Sequence, residues 1–170
     1  MSKAFTRDDA EEEAVLVVAR APLPTGKPNY VTPRGLAALR EELALLAGEG
    51  AALEELGNDM ARARARHARA MKIEALEARI ASAEVIDGRA GPQDEVRFGA
   101  DVTLRGEGGA ERHFRIVGVD EADARHGRIA FVAPLARAVL GKRVGDAVLV
   151  RTPSGEEELD VVALSYDDVG

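Results

Sequence analysis

The sequence contains no cysteine and no tryptophan, and it has only two tyrosines and four phenylalanines among 170 residues. The absence of cysteine excludes disulfides, thiolate metal sites and a cysteine nucleophile. No apolar run approaches the length of a membrane span, and the opening MSKAFTRDDAEEE does not resemble a signal peptide. An excess of basic residues is also missing, because 30 acidic and 23 basic residues give a net charge of −7. We therefore predict a soluble cytoplasmic protein and disfavour a free duplex-DNA binder.

Conventional catalytic signatures are missing as well. The three histidines, His67, His113 and His126, lack the spacing of a metal site such as HExxH. The chain has no GxSxG, P-loop or GxGxxG motif, and the GEGG turn lacks the lysine that phosphate binding needs. The sequence alone therefore predicts neither an enzyme nor a bound cofactor.

The residues that are present fall into segments of different character. The first combines the acidic DDAEEE with a VLVV run at 15–18 and a series of prolines, which is typical of a flexible leader. The VLVV run either has no specific role, adds a strand or docks on a partner. The predicted organisation is a leader (1–30), a helical hairpin (31–86), a linker (87–95), a strand-rich domain (96–166) and a short tail (167–170).

Helical periodicity dominates the second segment. Apolar residues recur at spacings of three, four and three along two stretches, which is typical of a coiled-coil seam. These residues are Leu36, Leu39, Leu43 and Leu46 in the first stretch, and Ile73, Leu76, Ile80 and Ala83 in the second. Thr32 before Pro33 predicts an N-cap, and Gly57-Asn58 predicts the turn of an antiparallel hairpin with arms 32–56 and 60–83. Gly48-Glu49-Gly50 predicts a kink in the first arm or an alternative turn.

A basic stretch, LGNDMARARARHARAMK, lies at the far end of the second arm. Extending the seam backwards reaches arginines, which do not form a dry seam without partners. Packing is therefore expected to shift onto Ala61, Ala65 and Ala68, with the cations pointing outward. The sequence predicts either a solvated face or a basic patch facing nucleic acid or an acidic protein surface. The patch comprises Arg62, Arg66, Arg69 and Lys72.

From Val96 onward the period changes to two. VRFGADVTL, ERHFRIVG, RIAFVA, DAVLVRT and EELDVVAL are five candidate strands, and PLARAVLGK predicts one short helix from Pro134 to Gly141. The predicted fold class is α+β, with a helical hairpin followed by a mainly antiparallel β domain that carries one short helix.

Several of these segments resemble the bacterial GreA/GreB transcription elongation factors. NYVTPRGLAALREEL and ARIASAEVID resemble the ends of their coiled coil, while FGADVTL, FRIVGVDEAD, VAPLARAVLGKRVGD and TPSGEEELDVVAL resemble their C-terminal domain. The resemblance implies an antiparallel coiled coil and an FKBP-like domain in a monomer. It also implies docking on the rim helices of RNA polymerase and entry of the coiled coil into the secondary channel. The implied docking residues are Asp120, Glu121, Asp123, Ala133, Pro134 and Leu135.

The same resemblance implies that acids at the hairpin tip help the polymerase hold Mg²⁺ during transcript cleavage. The family signature D-x-x-E-N-A-[ED]-Y aligns with ALEELGND at 52–59, where only Glu55 keeps its place. The first helix is also short by roughly fourteen residues, so a balanced hairpin loses about seven residues per arm, or about 10 Å of reach at 1.5 Å per residue. The expectation is a channel-binding regulator without efficient cleavage. In the alternative, Glu54, Glu55 and Asp59 take over the role and the factor is active.

The resemblance also bears on the basic stretch. In the family the basic face of the coiled coil lies toward the transcript 3′ end or the channel wall, which is the role expected for the basic patch. A peptidyl-prolyl isomerase is a further alternative that depends on the FKBP-like fold alone. With no tryptophan and only Tyr30 and Tyr166, an aromatic-lined prolyl pocket is difficult to assemble.

Overall fold

The computed structural model of the chain describes residues 20–51 and 57–166. Within this part of the chain, two long helices pack against each other and a five-stranded sheet forms the remainder. The α+β class predicted from the sequence is confirmed. None of the helices described here is both long and apolar enough to cross a membrane.

The sheet contains all five segments that were predicted as strands. The strands are β3 (Asp101–Gly106), β4 (Glu111–Val117), β5 (Arg128–Ala130), β6 (Ala147–Thr152) and β7 (Gly155–Ser165). Their order in the sheet is β5-β4-β3-β7-β6, with β4 and β5 parallel and the other neighbours antiparallel. A short helix, α3 (Pro134–Val139), begins at the predicted proline.

One predicted strand begins later than expected. The alternation from Val96 suggested a strand over 96–104, but the strand starts at Asp101. The N–H of Ala100 donates to the carbonyl of Arg97 at 3.1 Å and closes a turn. Gly99 takes a φ of +86° in this turn, which a glycine adopts without the steric cost of a side chain. The segment is still buried, so its apolar pattern reflects packing and not strand pairing.

The long helices are α1 (Pro33–Gly48) and α2 (Asp59–Ala81). Thr32 caps α1 as predicted, with its side chain accepting from the N–H of Gly35 at 3.0 Å. Asn58 caps α2 in the same way, accepting from the N–H of Ala61 at 2.6 Å. Because these caps satisfy N–H groups that have no partner within the helix, both helix starts are fixed locally by the sequence.

The two helices run in opposite directions. Asn29, just before α1, donates to the carbonyl of Arg79 near the end of α2, whereas the carbonyl of Leu46 contacts Arg69 further back along α2. Buried Leu39 and Leu76 form the centre of their interface together with Val31. The predicted seam is thus observed for most of its residues, with partial burial of Leu36, Leu43, Leu46, Ile80 and Ala83.

The predicted first arm, 32–56, is not one continuous helix. α1 ends at Gly48, and helical geometry resumes only at residues 50 and 51. Glycine costs about 1 kcal/mol relative to alanine inside a helix, which explains a break at the paired glycines. The tip acids Glu54 and Glu55 lie outside the described residues.

A pair of short strands was not predicted. β1 (Asn29–Val31) and β2 (Ala83–Val85) pair in parallel at the base of the two helices. Asn29 and Tyr30 therefore belong to this pair and not to a flexible leader. The ring of Tyr30 packs against Phe98 and Phe131, with centroids 5.8 and 5.3 Å away, and this packing attaches the helix base to the sheet.

Candidate functional site

The base of the helices meets the sheet at a polar cluster that we call the junction, formed by Arg20, Arg79, Asp120 and Glu121. Asp120 lies at its centre, with only 2% of its side chain exposed. Its Oδ1 accepts from Arg20 at 2.9 Å, and its Oδ2 lies 3.4 Å from Nε of Arg79. Arg20 also pairs with Glu42 on α1. The cluster therefore connects the N-terminal segment, both helices and the loop after β4.

Arg79 is the buried member of the junction on α2. Its side chain is 9% exposed, and its Nη2 donates to the carbonyl of Ala21. A charge that is buried to this degree needs a close partner, because desolvation penalises it strongly. Neither Arg79 nor Arg20 was singled out from the sequence. The available signal was that Arg79 lies between the seam residues Leu76 and Ile80, on the face of α2 that was predicted to be apolar.

Glu121 is also turned inward. Its carboxylate accepts from the backbone N–H of Thr32 at 2.9 Å and from the hydroxyl of the same threonine. A third bond comes from the N–H of Gly118 at 3.3 Å. Since Thr32 caps α1, Glu121 holds the cap in place. A Cβ at Gly35 would overlap the carboxyl group of Glu121, so a side chain there would displace this carboxylate from its position beside Thr32.

Asp123 lies further along the same loop and is partly exposed. It accepts from His126 at 2.7 Å and from the N–H of Arg125 at 3.1 Å. The bond to His126 is the main cause that lowers the pKa of Asp123 below its ordinary value. The loop 120–123 was predicted as an acidic docking surface. All three of its acids are bonded within the molecule, and Ala122 is its exposed residue.

The second predicted docking segment follows β5. Ala133 is half-buried, Pro134 is exposed at the first position of α3, and Leu135 is half-buried against the sheet core. Because β4 and β5 are parallel neighbours in which Val117 pairs with Ala130, their C-terminal ends lie at the same edge of the sheet. The loop after β4 and the segment after β5 therefore leave the sheet side by side, and we call this end the docking edge.

Only part of the basic patch predicted on α2 is exposed. Arg69 does not point outward, because its Nε donates to the carbonyl of Leu46 at 2.6 Å and its Nη2 to that of Ala47 at 2.7 Å. These carbonyls belong to the last turn of α1, where they have no partner within the helix. A cation at this position is also stabilised by the negative end of the helix dipole. Arg69 thus terminates α1, and Arg66 and Lys72 are the exposed predicted cations.

The far end of α2 carries the one tip acid that is described. Asp59 is the first residue of α2, with 94% of its side chain exposed, and it forms an ion pair with Arg62 one turn later. Within residues 20–51 and 57–166 no group of three or more histidine or acidic side chains is arranged to hold a metal ion. Asp59 lies at the end of α2 where a tip acid was predicted, and Arg62 is oriented toward it.

Comparison with known proteins identifies the family of this arrangement. Residues 91–166 match the family model for the C-terminal domain of the transcription elongation factors GreA and GreB. Transcription elongation factor GreB from Neisseria meningitidis serogroup B is 34% identical over 154 residues, covering 81% of this chain and 94% of the relative. The chain belongs to the GreA/GreB family.

A second curated relative agrees with this assignment. Transcription elongation factor GreB from Pseudomonas aeruginosa is 37% identical over 164 residues, which cover 86% of this chain and 95% of that protein. Among solved structures, GreA factor homolog 1 (Gfh1) of Thermus thermophilus is 24% identical over 82% of this chain and 99% of its own length, with a TM-score of 0.38. The transcription elongation role expected from the sequence is thus supported by near-full-length relatives.

Proposed function

We propose that this chain binds RNA polymerase at the secondary channel and regulates transcription elongation without efficient transcript cleavage. It is not an enzyme itself, and any RNA cleavage would be carried out by the polymerase. One structural observation carries the docking part of the proposal: the two segments expected to contact the polymerase leave adjacent parallel strands at one edge of the sheet.

The helix pair supports the channel-entry part. Its base is attached beside the docking edge through Asp120, Arg79 and Glu121. α2 has 23 residues, which at 1.5 Å per residue corresponds to about 34 Å of projecting helix. A protein that grips the polymerase rim through the docking edge would thus direct this pair of antiparallel helices, which we interpret as the family's coiled coil, into the channel.

The inward orientation of two acids changes the expected contact. Asp120 and Glu121 are bonded within the junction, so the surface offered to the polymerase consists of Ala122, Pro134 and their neighbours Asp123, Ala133 and Leu135. In this proposal the acids shape the loop and orient the helices, while the small apolar residues make the contact. The C-terminal sheet with its short helix is interpreted as the FKBP-like domain of the family.

The sequence of the tip supports weak cleavage. Ala52 and Leu56 stand where the family signature has an acid and an asparagine, and the carboxylate of Asp59 is paired with Arg62. Mg²⁺ prefers carboxylates and water oxygens at about 2.1 Å, so a missing or displaced acid cannot hold it. The exposed side chain of Asp59 favours the alternative, an active factor that uses Glu54, Glu55 and Asp59 to complete the polymerase's Mg²⁺ site.

The docking edge is tested by a matched pair of substitutions. Ala122→Arg places a bulky cation on the docking edge, and Leu149→Arg places one on β6, at the opposite side of the sheet, where the leucine is 66% exposed. We expect Ala122→Arg to weaken binding to the cognate RNA polymerase at least tenfold, because a buried unpaired charge at an interface is strongly unfavourable. Leu149→Arg should bind like the wild type. Equal binding by all three proteins, measured by fluorescence anisotropy, would contradict the docking edge.

A further inference from the structure

An open apolar groove runs along one side of the two helices. Leu45 and Leu46 of α1 line one wall, and Met71, Ala75 and Leu76 of α2 line the other. Leu45 is 65% exposed and Met71 is 54% exposed. Large apolar side chains that face each other across a groove are typical of a binding surface. The contacts described so far do not account for this surface.

The chain itself enters the groove at its base. Arg20 and Ala21 line that end, where Arg20 is bonded to Glu42 and Asp120 and the carbonyl of Ala21 accepts from Arg79. The residues immediately before this anchor are AVLVVA at 14–19. Residues 14–19 lie outside the described residues, and Arg20, which directly follows them, is fixed at the mouth of the apolar groove.

We propose that Val15–Val18 binds in the groove between α1 and α2, and that the acidic run at 8–13 lies along the basic side of α2. The lengths agree. The six residues 14–19 span about 20 Å when extended at 3.3 Å each, and the α2 wall of the groove, from Arg79 to Ala68, is about 17 Å long at 1.5 Å per helical residue. The apolar run is thus long enough to fill the groove, and the acidic run continues beyond it.

Charge places the acidic run on the α2 side. Arg64, Ala68 and Lys72 are spaced by four residues and therefore share one face of the helix, and Ala68 and Lys72 line the groove. The α1 wall carries Glu42 and Glu49, which repel the five acids of DDAEEE. Arg64 lies about 6 Å beyond Ala68 along α2, past the end of the groove, where an acidic run that continues beyond the groove meets it.

The tether favours this occupant over others. A segment joined directly to the groove has an effective concentration in the millimolar range, so modest apolar contacts are enough to keep it bound. In functional terms, the bound leader would cover part of the basic side of α2 and would be displaced when the helices enter the polymerase channel. That consequence rests on the proposed function, whereas the binding itself does not and is tested on the free protein.

Methionine oxidation provides the test, because Met71 lines the groove and Met60 lies outside it. Met60 is 66% exposed and is about 16 Å further along α2. In the full-length protein treated with dilute peroxide, a leader bound for about nine-tenths of the time slows oxidation of Met71 about tenfold relative to Met60. Peptide mass spectrometry measures both rates in the same sample.

Two double variants complete the experiment. Leu16→Asp with Val18→Asp places charges in the apolar run and should raise the Met71 rate about tenfold, to that of Met60. Ala4→Asp with Ala10→Asp adds the same charge to the leader, leaves the apolar run intact and should preserve the protection. Circular dichroism checks that both variants keep the helix content of the wild type.

Three results would overturn the proposal. The first is equal oxidation of Met60 and Met71 in the wild type, and the second is protection that persists in the Leu16→Asp, Val18→Asp variant. The third is protection that disappears on dilution, because a second copy of the chain would then be the occupant.

Discussion

The sheet and the helix pair are stabilised in different ways. Among residues 20–51 and 57–166, the sheet is built around 14 buried residues, including Leu104, Ile116 and Leu159, whereas the cluster between the helices contains three, namely Val31, Leu39 and Leu76. In the described part of the helix pair, polar contacts supply much of the stability that apolar burial does not provide. Arg69 binds the last turn of α1, and Asp120 and Glu121 hold the helix base.

This difference explains how a thin projecting element keeps its direction. Apolar burial contributes roughly 25 cal/mol per Å², and the described interface between the two helices fully buries only Val31, Leu39 and Leu76. Bonds to charged groups are directional and specific to a residue pair. The sheet therefore provides a stable platform, and the junction determines how the helices are oriented on it.

Removing the central acid of the junction should produce the largest effect. Asp120→Ala leaves Arg79 buried without its partner, and we expect a loss of about 3–5 kcal/mol in the free energy of unfolding. Asp123→Ala is the control, because that carboxylate is partly exposed and its ion pairs contribute about 1 kcal/mol or less. Denaturant titration followed by circular dichroism measures both. Equal losses of unfolding free energy in the two variants would show that the junction contributes no more to stability than a partly exposed ion pair.

Core truncations in the two regions should differ in where their effects appear. Leu76→Ala and Leu104→Ala each remove a buried leucine and should cost about 2–5 kcal/mol. Hydrogen exchange should then accelerate in α1 and α2 for Leu76→Ala, but throughout the sheet for Leu104→Ala. If Leu76→Ala accelerated exchange in the sheet as much as in the helices, the two regions would form a single cooperative unit.

The smallest effect is expected at the end of α1. Arg69→Leu removes the donors to the carbonyls of Leu46 and Ala47 and should cost about 1 kcal/mol. Arg64→Leu changes an exposed arginine on the same helix and should be nearly neutral. Hydrogen exchange near residues 46–51 should accelerate only in the Arg69 variant. Faster exchange in both variants would indicate that the loss of a positive charge from α2 is the cause, and that Arg69 does not specifically cap the end of α1.

Much of the fold was predictable because it follows local periodicity. The spacing of Leu36, Leu39, Leu43 and Leu46 identified the helical seam, and alternation identified the five strands. The caps Thr32 and Asn58 and the proline at the start of α3 are local signals too. The strands β1 and β2 were not predicted, because each has three residues and their pairing joins residues more than 50 positions apart.

The candidate site was predicted less completely, for a related reason. Asp120 and Glu121 lie in a loop, and from the sequence they were predicted to be surface acids. Their partners are 41 to 100 residues away in the chain, namely Arg20, Arg79 and Thr32. The sequence predicted that Arg69 points outward, because its acceptors, the carbonyls of Leu46 and Ala47, are available only where α1 breaks at Gly48. The glycines predicted that break, but they did not indicate which side chain would bind there.

The central claim, a channel-binding regulator with weak cleavage, is tested most directly on backtracked elongation complexes of the cognate RNA polymerase. Labelled RNA in the presence of Mg²⁺ reports transcript shortening when this protein is added alone and then in competition with an authentic cleavage factor. We expect no shortening with the protein alone and inhibition of the authentic factor. Shortening that disappears in the triple variant Glu54→Ala, Glu55→Ala, Asp59→Ala would contradict this account and identify an active cleavage factor.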